Sequence, residues 1–224
     1  MKTIIVLVDC QNDFMNKNGA LYVPGAEDIK PNIACLAKMA EEKRIPTIIT
    51  CDWHKEGDSE LSETPDFKTT FPKHCVAGSQ GAQAISEVSN SFMSITKRLS
   101  EQELEYEPHF EHEENDPKIE EVATIAHDKN NVKRIFVFKR HFDSFTNPGM
   151  EEVCLDYENF IVCGVAADVC VDFVVKGLVK LGKNVIVCKD ATAAIAPNAS
   201  CYDEWKAMGV NITNTKNITN MIGE

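Results

Sequence analysis

The sequence predicts a single α/β domain over residues 1–224, a three-layer α/β/α arrangement around a mostly parallel sheet. Three observations carry that prediction. Short β-branched apolar runs recur along the chain, longer amphipathic patterns follow most of them, and the runs are continuously apolar rather than alternating. Continuous runs of this length suit strands covered on both faces, as in a parallel sheet. Strand and helix patterns in alternation mark the same class.

The runs are residues 3–8 (TIIVLV), 46–50 (PTIIT), 134–138 (RIFVF), 159–163 (NFIVC) and 184–188 (NVIVC), with a weaker sixth at 210–213 (VNIT). Between the first two, residues 27–43 set Ile29, Ile33, Leu36 and Ala40 at spacings of three and four, so one helical face is apolar. After the fourth run, residues 167–181 repeat the helical pattern with Val171, Val174, Val175, Leu178 and Leu181. No long-period repeat is present, the echo NITNTKNITN being too short for one.

The 224 residues, 43% hydrophobic, suffice for a buried core. The net charge of −12 argues against a nucleic-acid or anionic-membrane partner. Most of it belongs to residues 101–121, with ten acids and one lysine, inside an expected insertion at about 98–122. Nine cysteines and three N-x-S/T sequons (Asn198, Asn211, Asn217) hint at secretion. An odd cysteine count without dense spacing argues against that. Cys35, Cys154, Cys163 and Cys188 lie in or beside apolar stretches, where reduced Cys acts as a small core residue. The N-terminal MKTIIVLVDCQNDF is too short in its apolar part for a signal sequence, and no run reaches membrane-spanning length. The expectation is a soluble, cytoplasmic protein.

In open α/β sheets, sites form beyond the carboxyl ends of the strands. Here four strand ends carry Asp9, Asp52, Lys139 and the segment GVAADVC with Cys170. A helix starting near Ala167 would set Cys170 by its positive end, lowering the thiol pKa, with backbone N–H groups near for an oxyanion. Asp9 can serve as the base a thiol needs, and a buried Lys139 can hold acid and thiol together. The plain alternatives are a structural cysteine, a turn-capping acid and a surface lysine. Lys97 in SITKR ranks second for the lysine role.

Residues 51–75, CDWHKEGDSELSETPDFKTTFPKHC, pack two histidines, six carboxylates and two cysteines. Asp52 and His54 alternate after a strand and so point the same way, and His74 follows twenty residues later. A carboxylate and two imidazoles suit a divalent first-row metal such as Zn, Fe or Mn. Rival readings are a solvated loop, and a zinc site using Cys51 and Cys75, although Cys51 should point away from Asp52. His109 and His112 in the acidic segment read as a solvated arm.

The blocks LVDCQNDF, CDWH…FPKHCVAGSQGA, FKRHFDSF and CGVAADVCV, in that order, resemble the signature blocks of the isochorismatase-like cysteine hydrolases, with the nicotinamidase branch closest. The resemblance covers nearly the whole chain except about residues 80–130. It implies an acid–lysine–thiol triad of Asp9, Lys139 and Cys170, and a metal held by Asp52, His54 and His74. It further implies Glu60, with Glu63 as a near rival, as a fourth ligand. Phe14 and Phe71 would wall a pyridine ring. A non-proline cis peptide at Val165–Ala166 would turn the Ala166 and Cys170 N–H groups toward an oxyanion. Val169, beside the nucleophile, stands where the family varies with substrate, and homo-oligomers are frequent there.

The function so implied is hydrolysis of a small carboxamide, nicotinamide foremost, through a thioester. No glycine-rich phosphate loop follows any strand, so no organic cofactor is expected. Competing readings are a cysteine amidase for another small amide or N-carbamoyl compound, metal–water hydrolysis with Cys170 a bystander, and a non-catalytic thiol or small-molecule sensor. Vinyl-ether hydrolysis of isochorismate fits poorly, since it calls for no nucleophilic thiol.

Overall fold

A computed structural model describes residues 2–89, 123–127 and 131–223. Lys97, the acidic segment 101–121 and His109 and His112 lie outside these residues. The strands are β1 (Thr3–Val8), β2 (Thr47–Asp52), β3 (Thr124–His127), β4 (Lys133–Lys139), β5 (Asn159–Val165), β6 (Asn184–Ala193) and β7 (Asn211–Thr213). They form a seven-stranded sheet in the order β3-β4-β2-β1-β5-β6-β7. All neighbours are parallel except β3, which pairs antiparallel with β4. The expected mostly parallel α/β fold is observed. The short edge strand β3 is absent from the sequence expectation, because TIAH is weakly apolar and lies past the acidic stretch.

Helices cover both faces. Described helices are α1 (Asn12–Met15), α2 (Ala26–Glu42), α3 (Ser86–Ser89), α4 (Pro148–Leu155), α5 (Cys170–Lys180), α6 (Cys201–Ala207) and α7 (Thr215–Gly223). Along β1, side chains alternate between two cores. Ile5 and Leu7 pack with Ile33 and Leu36 of α2 and Ile218 of α7. Ile4, Val6 and Val8 pack with Val171, Val174 and Leu178 of α5 and Trp205 of α6. The period-2 geometry of a strand thus makes one apolar run serve two layers.

The chain winds from β1 toward β2 and β4 on one side, then crosses to β5, β6 and β7 on the other. The order therefore reverses between β1 and β5, and a crevice opens beyond their carboxyl ends. Gly164 permits the close approach there. Its φ is +118°, and a Cβ at this position would stand 2.0 Å from Val8 O. No described helix is long and apolar enough to cross a membrane. All nine cysteines are free. Cys154, Cys163 and Cys188 are buried as expected, whereas Cys35 is exposed on α2, its apolar neighbours facing the core instead.

Candidate active site and metal centre

Asp9 follows β1 directly and is fully buried, with φ +48°. Val8 and Thr50 are register partners on β1 and β2, so the Thr50 hydroxyl lies beside Asp9. It donates to Asp9 Oδ1 at 2.6 Å, while the Asp9 N–H donates to Thr50 O at 3.2 Å. Lys139 ends β4 with 1% exposure. Its Nζ lies 2.9 Å from Asp9 Oδ2, bonds Asp52 Oδ1 and stands 3.7 Å from Cys170 Sγ. A carboxylate oxygen of Asp9, one of Asp52 and Cys170 Sγ all lie within 4.8 Å of one another.

Burial pushes the Asp9 carboxyl above the usual carboxylate range; Lys139 pulls it down, and the Asp52 charge adds to the rise. Asp52 goes the other way, because Lys139 and the two histidines outweigh its burial. Lys139, between two carboxylates, is held protonated despite its burial. The expectation of a depressed Cys170 pKa needs correction. Burial drives this thiol well up, Lys139 opposes without prevailing, and Asp9 and Asp52 reinforce the rise.

Helix α5 also starts later than residue 167. The Ala167 N–H is engaged by Ala193 O at 2.8 Å and Val169 has ψ −99°, so Cys170 is the first helical residue. The Val165–Ala166 peptide is cis.

The second cluster joins Asp52, His54, Glu60 and His74, all buried, with ligand atoms within 4.8 Å of one another. Asp52 Oδ2 lies 3.8 Å from His54 Nε2 and 3.7 Å from His74 Nε2. Glu60 Oε1 lies 3.9 Å and 4.0 Å from the same nitrogens. Glu63, the rival, is exposed. The loop after β2 folds back on itself to build this cluster. The Phe71 N–H donates to Glu60 O at 2.7 Å, and His54 bridges the segment of Cys75 and Ala77 through its own N–H and O.

The cluster passes a test for a metal. His54 Nε2 is buried with no hydrogen-bond partner, and such an atom is costly to leave unpaired. His74 Nδ1 donates to Pro72 O at 2.7 Å, and His54 Nδ1 faces Asp58 Oδ2 at 3.3 Å. These bonds put the ring protons on Nδ1 and turn both Nε2 lone pairs inward. Ligands about 2.0–2.2 Å from an ion stand roughly 3.3–3.6 Å apart, and the four carboxylate–imidazole distances of 3.7–4.0 Å are only slightly longer. Two imidazoles and two carboxylates suit Zn, Fe or Mn. Cys51 and Cys75 belong to neither cluster.

Both clusters open on one cleft, lined by Asp52, Glu60, His74 and Cys170 and by apolar walls. Phe14 tilts against His74 at 5.4 Å, and Phe71 meets Phe142 edge-on at 5.6 Å. Val165, Ala166 and Val169 form the wall next to the thiol. The sequence reasoning passed over Leu21, Val23, Phe142 and Ile195, which also line the cleft. For Phe142 there was a signal, its place just beyond the Lys139 strand end. It also passed over Gln11, whose side chain donates to Asp52 O and accepts from Asp52 N, both at 2.8 Å.

The isochorismatase domain family matches residues 3–101 and 93–216, and the chain belongs to that family. A nicotinamidase/pyrazinamidase of Mycobacterium tuberculosis is 35% identical over 79 residues, 35% of this chain and 41% of that protein. A nicotinamidase of Saccharomyces cerevisiae is 28% identical over 120 residues, 44% of this chain and 54% of that protein. The chain thus matches about half the length of these curated relatives. The crystal structure of a Pyrococcus horikoshii pyrazinamidase in complex with zinc has the same fold, with a TM-score of 0.69 at 20% identity, covering 96% of this chain and 99% of that one.

Proposed function

We propose that this chain is a metal-dependent cysteine amidohydrolase that converts nicotinamide to nicotinate and ammonia through a thioester. One observation carries the reading: a buried acid–lysine–thiol set and a four-donor cluster share Asp52 and open on the same aromatic-walled cleft. The partial likeness to curated nicotinamidases supports the choice of substrate.

Asp52, His54, Glu60 and His74 would hold the ion, which, when bound, supplies a Lewis-acidic contact for a ring nitrogen. Phe14, Phe71 and Phe142 pack the ring, and Val169 leaves the wall by the amide apolar. Cys170 Sγ attacks the carboxamide carbon as its proton passes to Asp9. A carboxyl with raised proton affinity, facing a thiol with raised pKa, is matched for that transfer. The oxyanion is assigned, as the family resemblance implies, to the N–H groups of Ala166 and Cys170; those of Ala167, Val169 and Val171 are engaged by Ala193 O and Ala166 O. Asp9 returns the proton to the departing nitrogen, the C–N bond breaks, and ammonia leaves a thioester. Water then loses a proton to Asp9, adds to the acyl carbon and expels the sulfur, which takes the proton back. Lys139 stays charged throughout and holds Asp9 against Asp52.

The test is ammonia release from nicotinamide by metal-loaded protein, beside Cys170→Ala. Release by the wild type and its loss in the variant would support reaction class and nucleophile together. No release by the wild type would overturn the substrate, and a fully active variant would overturn the thioester.

A further inference from the structure

We propose that Asp58 and Arg140 are positioning residues for the metal centre, acting through His54. The inference rests on the reading of Asp52, His54, Glu60 and His74 as metal ligands. Asp58 follows His54 by four residues and is buried, with 8% exposure. Its Oδ2 faces His54 Nδ1 at 3.3 Å and accepts the Lys55 N–H at 2.9 Å. Arg140 grips the same carboxylate with two donors, Nε to Oδ2 at 2.9 Å and a terminal nitrogen to Oδ1. Such a planar fork fixes a carboxylate in angle as well as position.

The chemistry of the pair follows from what it leaves undone on the ring. With Nδ1 held by a carboxylate, His54 has one tautomer and one ring orientation, and Nε2 remains a buried lone pair without a partner. His74 has only the neutral Pro72 carbonyl in that role. The two imidazoles are therefore held by unlike partners, His54 by a side chain that Arg140 clamps and His74 by a backbone carbonyl.

Arg140 adds a link between the two halves of the site. It follows Lys139 directly beyond the end of β4, and the two side chains reach different carboxylates. Lys139 bonds the Asp52 carboxylate from the thiol side, while Arg140 holds the Asp58 carboxylate from the far side of His54. One strand end thus supports two of the four ligands, so a shift in its register moves the metal cluster and the thiol set together.

The experiment measures Co(II) affinity by competition with a chromophoric chelator, and records the visible absorption of bound Co(II). Asp58→Ala should weaken binding by about 10–100-fold and alter the absorption band, because His54 can rotate. Asp58→Asn, which keeps an acceptor, should recover the band and part of the affinity. Arg140→Gln should give a smaller loss, since the Asp58 carboxylate remains. Asp66→Ala removes the acceptor of the Lys68, Thr69 and Thr70 N–H groups in the same loop without touching His54, and it should leave affinity and band unchanged. Wild-type affinity and band in Asp58→Ala would overturn the proposal while the metal reading stands. Equal losses in Asp66→Ala would reduce Asp58 to general loop stability and overturn it too. Wild type that binds no Co(II) would remove the metal reading and this inference together.

Discussion

Asp52 and Lys139 are register partners on the parallel strands β2 and β4, and the Lys139 ammonium bonds one oxygen of the Asp52 carboxylate. The other oxygen lies 3.7 Å from His74 Nε2 and 3.8 Å from His54 Nε2. A single carboxylate therefore joins the thiol set to the four-donor cluster, and the sheet register dictates the pairing. A change at Asp52 thus touches both clusters.

Lys139→Met removes the cation between two buried carboxylates. Leaving such charges unpaired costs about 3–5 kcal/mol, and urea unfolding should show that loss together with loss of amide hydrolysis. Adding Asp9→Asn removes one of the stranded charges. The double variant should be more stable than Lys139→Met alone, a non-additivity expected for groups in contact or in one charge network.

Cys170 should react slowly with iodoacetamide in metal-free protein at neutral pH, with the rate climbing as pH rises past the usual thiol range. The sign follows from its causes: burial raises the pKa most, and the Asp9 charge raises it further against Lys139. Asp9→Asn deletes a raising contribution, so the thiolate fraction at a given pH goes up and alkylation of Cys170, followed by mass spectrometry, should become faster. A slower reaction would mean that Asp9 already holds the thiol proton in the resting protein.

If the four-donor cluster holds an ion as proposed, removing that ion should lower thermal stability. A ligand at a hundred times its Kd stabilises the folded state by about 2.7 kcal/mol, which for a chain of this size is roughly 5–10 °C in Tm. Calorimetry with and without Zn(II), after chelator treatment, reads this directly. His74→Ala should abolish the metal-dependent shift while the metal-free Tm changes less.

Gly164→Ala should be among the more damaging small substitutions. The added methyl would meet Val8 O at 2.0 Å, with φ at +118°. Strain and overpacking together should cost about 3 kcal/mol or more, measured by chemical denaturation. Activity should also fall, because β1 and β5 must part where Asp9 and Ala166 sit.

Phe142→Ala tests a wall that sequence reasoning passed over. Loss of an edge-to-face ring pair is worth about 0.5–1.5 kcal/mol, so KM for a heteroaromatic amide should rise roughly 2–12-fold, with a smaller change in kcat. An unchanged KM would place the ring elsewhere in the cleft.

Much of the fold is legible in the residues alone. Expected strands coincide with β1, β2, β4 and β5 to within two residues and β7 with the weaker sixth, while β6 starts as expected at Asn184 but runs on to Ala193. Asp9, Asp52 and Lys139 stand out as polar residues at the ends of apolar runs, a purely local pattern. The start of α5 is less legible. The helical spacing of residues 167–181 sets no start of its own, whereas the N–H groups of Ala167 and Val169 are claimed by Ala193 O and Ala166 O. Asp58 and Arg140 look like ordinary loop charges, 82 residues apart, until the loop closes on the β4 end.

The sequence by itself determined the alternation of apolar strands and amphipathic helices, and with it the class of sheet and the edge where polar residues collect. Those properties are periodic, and periodicity is written in neighbouring residues. Only the tertiary structure decided that Asp52 faces Lys139 on one side and two imidazoles on the other. The same holds for Glu60, which turns inward while Glu63 meets solvent, and for Cys170, whose thiol ends buried beside a carboxylate. These outcomes depend on strand order, register and loop closure, which bring distant residues within a few ångströms. Burial and charge pairing then set the chemistry of each group, and neither can be read from the residue alone.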